Sequence, residues 1–165
     1  MIVRVNQDNI DEYENFIKKH PKGLFQHSSK WAKVKSAWKF EAVMLKDENG
    51  EIKGSASVLI RSIPVIKNSL MYCCRGFVCD ENDFDTFDKL FNALLELGKE
   101  YKAYCIKIDP EIVIQNEAYK KHLIEKGFIE LNPGCMDFEN VQPRFVYCFD
   151  YNGMNEDELM LTFKP

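Results

Sequence analysis

The stretch 69–80, SLMYCCRGFVCD, decides how the chain is read. Residues 69–74 form a short apolar run suited to a buried strand. Arg75-Gly76 breaks the run, and Asp83 stands where it can cap an apolar-periodic helix over residues 84–101. The expectation is a central strand that empties through a tight turn into the start of a helix. Such a junction sets backbone N–H groups and an arginine beside whatever binds there, and helix N-termini favour anions. The same residues also fit an ordinary strand-to-helix connection with a solvated Arg75.

Working outward toward the C-terminus, residues 103–108 read as a strand, apolar except for Lys107, that ends in Asp109-Pro110-Glu111. A helix is expected over 117–126 with Tyr119 and Leu123 inward, stopped by Gly127. A short strand over 128–131, a turn at 132–134, a last strand over 145–150 and a helix capped by Asn155 follow. Toward the N-terminus, strands over 40–45 and 51–60 flank Asp47-Glu48-Asn49-Gly50, a hairpin signal. Residues 1–5 alternate like an edge strand. A first helix, capped by Asp8 or Asn9, carries Ile10, Tyr13, Phe16 and Ile17 on one face and ends at His20-Pro21-Lys22-Gly23. A second, capped by Ser28 or Ser29, puts Trp31, Val34 and Trp38 on one face and Lys30, Lys33 and Lys35 elsewhere. A hairpin followed by β-α-β-α-β, with helices on both sides of a mixed sheet, is the α/β layout of the acyl-CoA N-acyltransferase (GNAT) type.

The 165 residues fit one domain, and 45% hydrophobic with 29% charged residues describes a globular chain. With a formal net charge of −4 a broad nucleic-acid footprint is not expected, though a local basic patch is compatible with it. No apolar run reaches the length of a membrane span, and the acidic N-terminal stretch is unlike a signal peptide, so a cytoplasmic protein is expected. Six cysteines occur without a C-x-x-C pair or zinc-like spacing. Cys73, Cys74, Cys105 and Cys148 lie in strand-like runs and are expected as reduced core thiols. His27 and His122 are the general acid–base candidates, but neither has a recognisable partner spacing, and no catalytic residue is assigned.

WAKVK (31–35) followed by Trp38, RGFVCD (75–80), AYCIKIDPEI (103–112) and NVQPRFVYCFDY (140–151) together resemble successive blocks of the Fem (FemABX) family. The resemblance covers nearly the whole chain in the right order. It implies an aminoacyltransferase that moves an amino acid from aminoacyl-tRNA to the stem peptide of a peptidoglycan precursor. Family members have two GNAT-like lobes, the first of which binds the precursor. Carried over block by block, the precursor-binding lysine falls on Lys33, and the family's Tyr and Asp fall on Tyr104 and Asp109. Read without the family, Lys33 is a solvated lysine, Tyr104 a core residue and Asp109 a turn former before Pro110. Arg75 joins the substrate-binding set from its place in the turn.

The resemblance stops with the first lobe, so a single GNAT-like domain over 1–165, inactive alone, is expected. The implied partners are UDP-MurNAc-pentapeptide or the lipid-linked precursor, with aminoacyl-tRNA only when a second lobe is present. No cofactor and no metal is implied, and an uncovered lobe face is expected to self-associate. Two other readings stand beside this one. The first is a non-catalytic module that binds a cell-wall precursor or a protein. The second is a GNAT-type small-molecule N-acyltransferase. The turn at 75–80 speaks against the latter, because one glycine followed by Phe77 leaves little room for a pyrophosphate cradle.

Overall fold

The computed structural model describes residues 1–65, 67–113, 115–131 and 149–163. Its elements run β1 (Ile2–Arg4), α1 (Ile10–Lys19), a 3-10 turn (Phe25–His27), α2 (Ser29–Val34), β2 (Lys39–Lys46), β3 (Ile52–Ile63), β4 (Asn68–Cys73), α3 (Phe84–Glu100), β5 (Ala103–Ile108), α4 (Glu117–Glu125) and α5 (Glu156–Thr162). The chain falls into two compact units, residues 1–126 and 127–165.

In the first unit the five strands form one sheet in the order β1-β2-β3-β4-β5. The first four are antiparallel in turn, and β4 pairs parallel with β5. A parallel neighbour needs a long crossover, which α3 supplies. Alternation along β2 sends Ala42 and Met44 to one face, where they pack with Tyr13 and Ile17 of α1 and with Val78. On the other face α3 buries Phe87, Leu90 and Leu94. A Cβ on Gly54 would stand 2.8 Å from Thr86 Cγ2 and 3.0 Å from Cys79 Cβ, so α3 approaches β3 through the gap that this glycine leaves. Asp83 caps α3 as expected, with Oδ1 accepting from the Thr86 N–H at 3.0 Å. The fold is thus α/β and GNAT-like, a mixed sheet between helices.

Four details differ from the sequence reading. The turn after β4 does not open α3. Val78 first returns to β3, exchanging both backbone hydrogen bonds with Ser55. From the Leu59–Tyr72 pair to the Ser55–Val78 pair, β3 advances four residues and the other chain six. Arg75-Gly76 is therefore a bulge looped out of the β4 line rather than the turn that opens α3. Second, α2 ends at Val34, and Trp38 lies in the following turn rather than on the helix. Third, Cys105 is exposed, whereas Cys73, Cys74 and Cys79 are buried free thiols. Fourth, residues 128–131 carry no strand.

The second unit holds α5, whose Asn155 and Glu158 form a reciprocal capping box. The expected turn at 132–134, Cys135, Cys148 and most of the strand expected over 145–150 lie outside the described residues.

Candidate functional site at the carboxyl ends of β4 and β5

Open α/β sheets bind ligands at the carboxyl ends of their parallel strands. Here those ends belong to β4 and β5. The chain turns after β4 with the Gly76 N–H donating to the Cys73 carbonyl at 3.3 Å. Arg75 then sits at φ 59° and Gly76 at φ 77°. The left-handed region is uncommon for a side chain as long as arginine, so something must hold it. Asp109, just past β5, does so by accepting from the Arg75 N–H at 2.7 Å. The Glu111 N–H returns a longer bond of 3.4 Å to the Arg75 carbonyl. Gly76 lies against Pro110, where a Cβ would come within 2.9 Å of the proline Cβ. The two strand ends are thereby sewn together.

Burial raises the pKa of Asp109, against the pull of the Arg75 amide, a hydrogen bond from the Tyr72 side chain and the Arg75 charge. Its Oδ2 is fully buried. Beneath the turn lies His27, only 1% exposed. Its carbonyl accepts from the Tyr13 hydroxyl at 2.5 Å, and its Nδ1 accepts from the Leu24 N–H at 3.0 Å. The neutral ring therefore carries its proton on Nε2, on the side of the Cys74 and Gly76 backbone. Burial pushes the imidazole down to about 4. So deeply enclosed a ring is scaffolding for the turn rather than a general base. His122 is likewise engaged, with Nε2 2.8 Å from Asp88 Oδ1.

In front of the turn is a cleft open to solvent, lined by Lys22, Arg75, Phe77, Glu81, Pro110 and Tyr119 among others. Lys22 Nζ pairs with Glu81 Oε1 at 2.7 Å and donates to the Glu111 carbonyl at 2.9 Å. Asn116 Nδ2 donates to Glu81 Oε2 at 3.0 Å. One lysine thus ties the loop after α1 to those after β4 and β5. Sequence reading passed over Lys22 and Glu81, since a helix-stopping Pro-Lys-Gly and an acidic loop carry no signal of a contact so far along the chain. Burial pushes the Cys79 thiol up to about 12, and Cys73 Sγ donates to the Gly76 carbonyl at 3.3 Å. Both are protonated packing groups rather than nucleophiles.

Of the four residues singled out from the sequence, Arg75 and Asp109 are brought together. Lys33 is exposed on α2, and Tyr104 is 55% exposed near the start of β5. Five residues of extended chain separate Tyr104 from Asp109, about 16 Å. Among the described residues no three metal-ligating side chains gather, and no helix is long and apolar enough to cross a membrane.

Comparison with known proteins gives a consistent answer. The chain is 33% identical over 158 residues to a lipid II:glycine glycyltransferase of Staphylococcus epidermidis. It is 29% identical over 161 residues to the enzyme of that name from Staphylococcus aureus. Each alignment covers 93% of this chain but 37% of the relative, so the chain spans little more than a third of their length. Among solved structures it resembles FemX, with a TM-score of 0.67 at 29% identity over 76% of this chain and 31% of the other. A probable acetyltransferase matches 91% of the chain and 99% of its own length with a TM-score of 0.60, a likeness of fold at 14% identity. The FemAB family model matches residues 9–165, and the chain belongs to that family.

Proposed function

We propose that this chain is a single GNAT-like lobe, over residues 1–165, that binds the precursor for a peptidoglycan-bridge aminoacyltransferase. The acceptor is the stem peptide of UDP-MurNAc-pentapeptide or of its lipid-linked form. The donor, an aminoacyl-tRNA, is engaged only when a second lobe is present, and the work is done in the cytoplasm. Family membership and the relatives' names support the reaction class.

The observation that carries the reading is the Arg75–Asp109 closure. It holds a carboxylate at the carboxyl ends of the parallel strands, with one oxygen accepting from the Arg75 amide. In this role Asp109 holds the turn against which the precursor binds, and Arg75 lines the cleft. Lys33 meets the diphosphate as a point charge. Tyr104, about 16 Å from Asp109, meets a more distant part of a long ligand. Aminoacyl transfer to an amine rests on holding nucleophile and ester together, and no protein nucleophile is needed.

Calorimetric titration of the chain with UDP-MurNAc-pentapeptide, free of lipid, tests this. Saturable binding, weakened roughly tenfold or more by Lys33→Ala and by Asp109→Ala, is expected, about 1.4 kcal/mol or more each. Absence of heat with folded protein at millimolar ligand would refute it.

A further inference from the structure

The surface formed by the 3-10 turn, α2 and the turn into β2 presents aromatic rings and cations in alternation. Phe25, 63% exposed, stands edge-on to Trp31 with ring centroids 5.1 Å apart. Lys35 Nζ lies 5.1 Å from the centroid of that tryptophan. The Trp38 N–H donates to the Lys35 carbonyl at 2.8 Å, and the Arg61 guanidinium lies 5.7 Å from the Trp38 centroid. Val34, 69% exposed, projects from the same short helix, and Lys30 and Lys33 are exposed beside it.

Two physical points set this surface apart. Its cations are not absorbed by the fold. Among the described residues, Lys33, Lys35 and Arg61 have no carboxylate within salt-bridge distance, although the chain carries a net charge of −4. A positive patch on a negative molecule orients it toward an anionic surface while the rest is repelled. The patch is also apolar where burial in the fold would be expected. Both tryptophans of the chain are on it, half-buried, with Phe25 and Val34 largely in water. Tryptophan with flanking Lys and Arg is the composition of a bilayer interface, where rings sit at headgroup depth and cations meet phosphates. A folded RNA would satisfy the cations and leave Phe25 and Val34 in water. The patch also adjoins the candidate site: Phe25 shares its 3-10 turn with His27, whose buried ring lies beneath the Arg75 turn.

We propose that this face docks on an anionic lipid bilayer, with Phe25, Trp31, Val34 and Trp38 at headgroup depth and Lys30, Lys35 and Arg61 on lipid phosphates. The proposal rests on the precursor-binding reading, since docking would bring the cleft to a lipid-linked acceptor at the membrane surface.

Because Trp31 and Trp38 are the chain's two tryptophans, their emission reports directly on the patch. The chain is mixed with vesicles of phosphatidylglycerol or of phosphatidylcholine and followed by co-sedimentation and fluorescence. Expected are binding to the anionic vesicles with a blue shift, quenching by brominated acyl chains, and release at half-molar salt. Lys35→Glu should lower the partition coefficient at least fivefold, as one basic residue is worth about that much near an anionic leaflet. Val34→Glu should abolish the quenching. Both positions are exposed, and circular dichroism verifies that the variants fold. Equal binding to both vesicles, binding without quenching, or binding unchanged by both variants would overturn the proposal. So would a blue shift that follows protein concentration without lipid, since a second copy would then cover the face. Titration with the soluble precursor involves no vesicle, so failure here leaves that result standing.

Discussion

The backbone N–H of Arg75 and the carboxylate of Asp109 meet at 2.7 Å, although the residues are thirty-four positions apart. This one bond closes the ends of two parallel strands and holds a non-glycine residue at positive φ. Asp109→Ala removes the acceptor and leaves a partly buried amide unsatisfied, a loss of about 1–3 kcal/mol. Asp109→Asn keeps an acceptor oxygen and should lose less. Urea unfolding of the two variants checks the order; equal losses would show that charge rather than the acceptor matters.

Close packing rather than hydrogen bonding fixes the other side of the turn. Gly76→Ala would bring a methyl within 2.9 Å of Pro110 Cβ, in a backbone conformation, φ 77°, that favours glycine. A destabilisation of about 1–3 kcal/mol is expected. Gly54→Ala would set a methyl 2.8 Å from Thr86 Cγ2 and 3.0 Å from Cys79 Cβ and should destabilise by a similar amount through overpacking. Gly76→Ala should also weaken precursor binding measured by calorimetry at temperatures where the variant is folded.

Elements with a local cause were legible in the sequence. The hairpin turn forms because Asp47 Oδ1 accepts from the Asn49 and Glu51 amides, and α3 forms because its apolar stripe and Asp83 cap agree. The blocks at 31–35, 75–80 and 103–112 also led correctly to the family. What failed was what a distant residue decides. Three features of the turn at 75–76 depend on Ser55, Asp109 and Pro110: its bulge, its left-handed arginine and the close approach that reserves position 76 for glycine. No local pattern predicts those partners. Trp38 has helical spacing from Trp31, yet α2 stops at Val34 because β2 begins at Lys39 and the intervening chain must turn to meet it.

Lys22 offers a test of the cleft. Its ion pair with Glu81 is partly exposed, so Lys22→Met should change global stability by less than about 1 kcal/mol. The same substitution frees the loop after β5, because Lys22 also holds the Glu111 carbonyl. Hydrogen exchange at the Glu111 and Ile112 amides, which donate to Arg75 and Pro110, should therefore quicken while that of β3 stays constant. Uniform quickening throughout would show that the lysine supports the whole fold instead.

The buried ring of His27 predicts how stability varies with acidity. Its folded pKa, about 4, lies below the ordinary 6.5, so between these values the unfolded chain binds a proton that the folded one refuses. Stability therefore rises with pH across that window and falls as the solution is acidified, by up to about 3 kcal/mol from this group. His20, also lowered by burial, acts in the same direction. Glu14, Glu41, Asp83 and Asp88 have lowered pKa values, so their contributions are lost only below the ordinary carboxylate range. Asp109 runs the other way: its raised pKa gives stability that is present at low pH and lost as pH rises through the folded value. Above about pH 4.5 His27 and His20 steepen the slope and Asp109 opposes it. His27→Gln keeps an acceptor for the Leu24 N–H and has no proton to gain, so it should unfold more easily at pH 7 yet show a much flatter dependence. Urea midpoints at pH 4.5, 5.5, 6.5 and 7.5 decide the matter, and a variant as steep as the parent would mean that the acid sensitivity originates outside the turn.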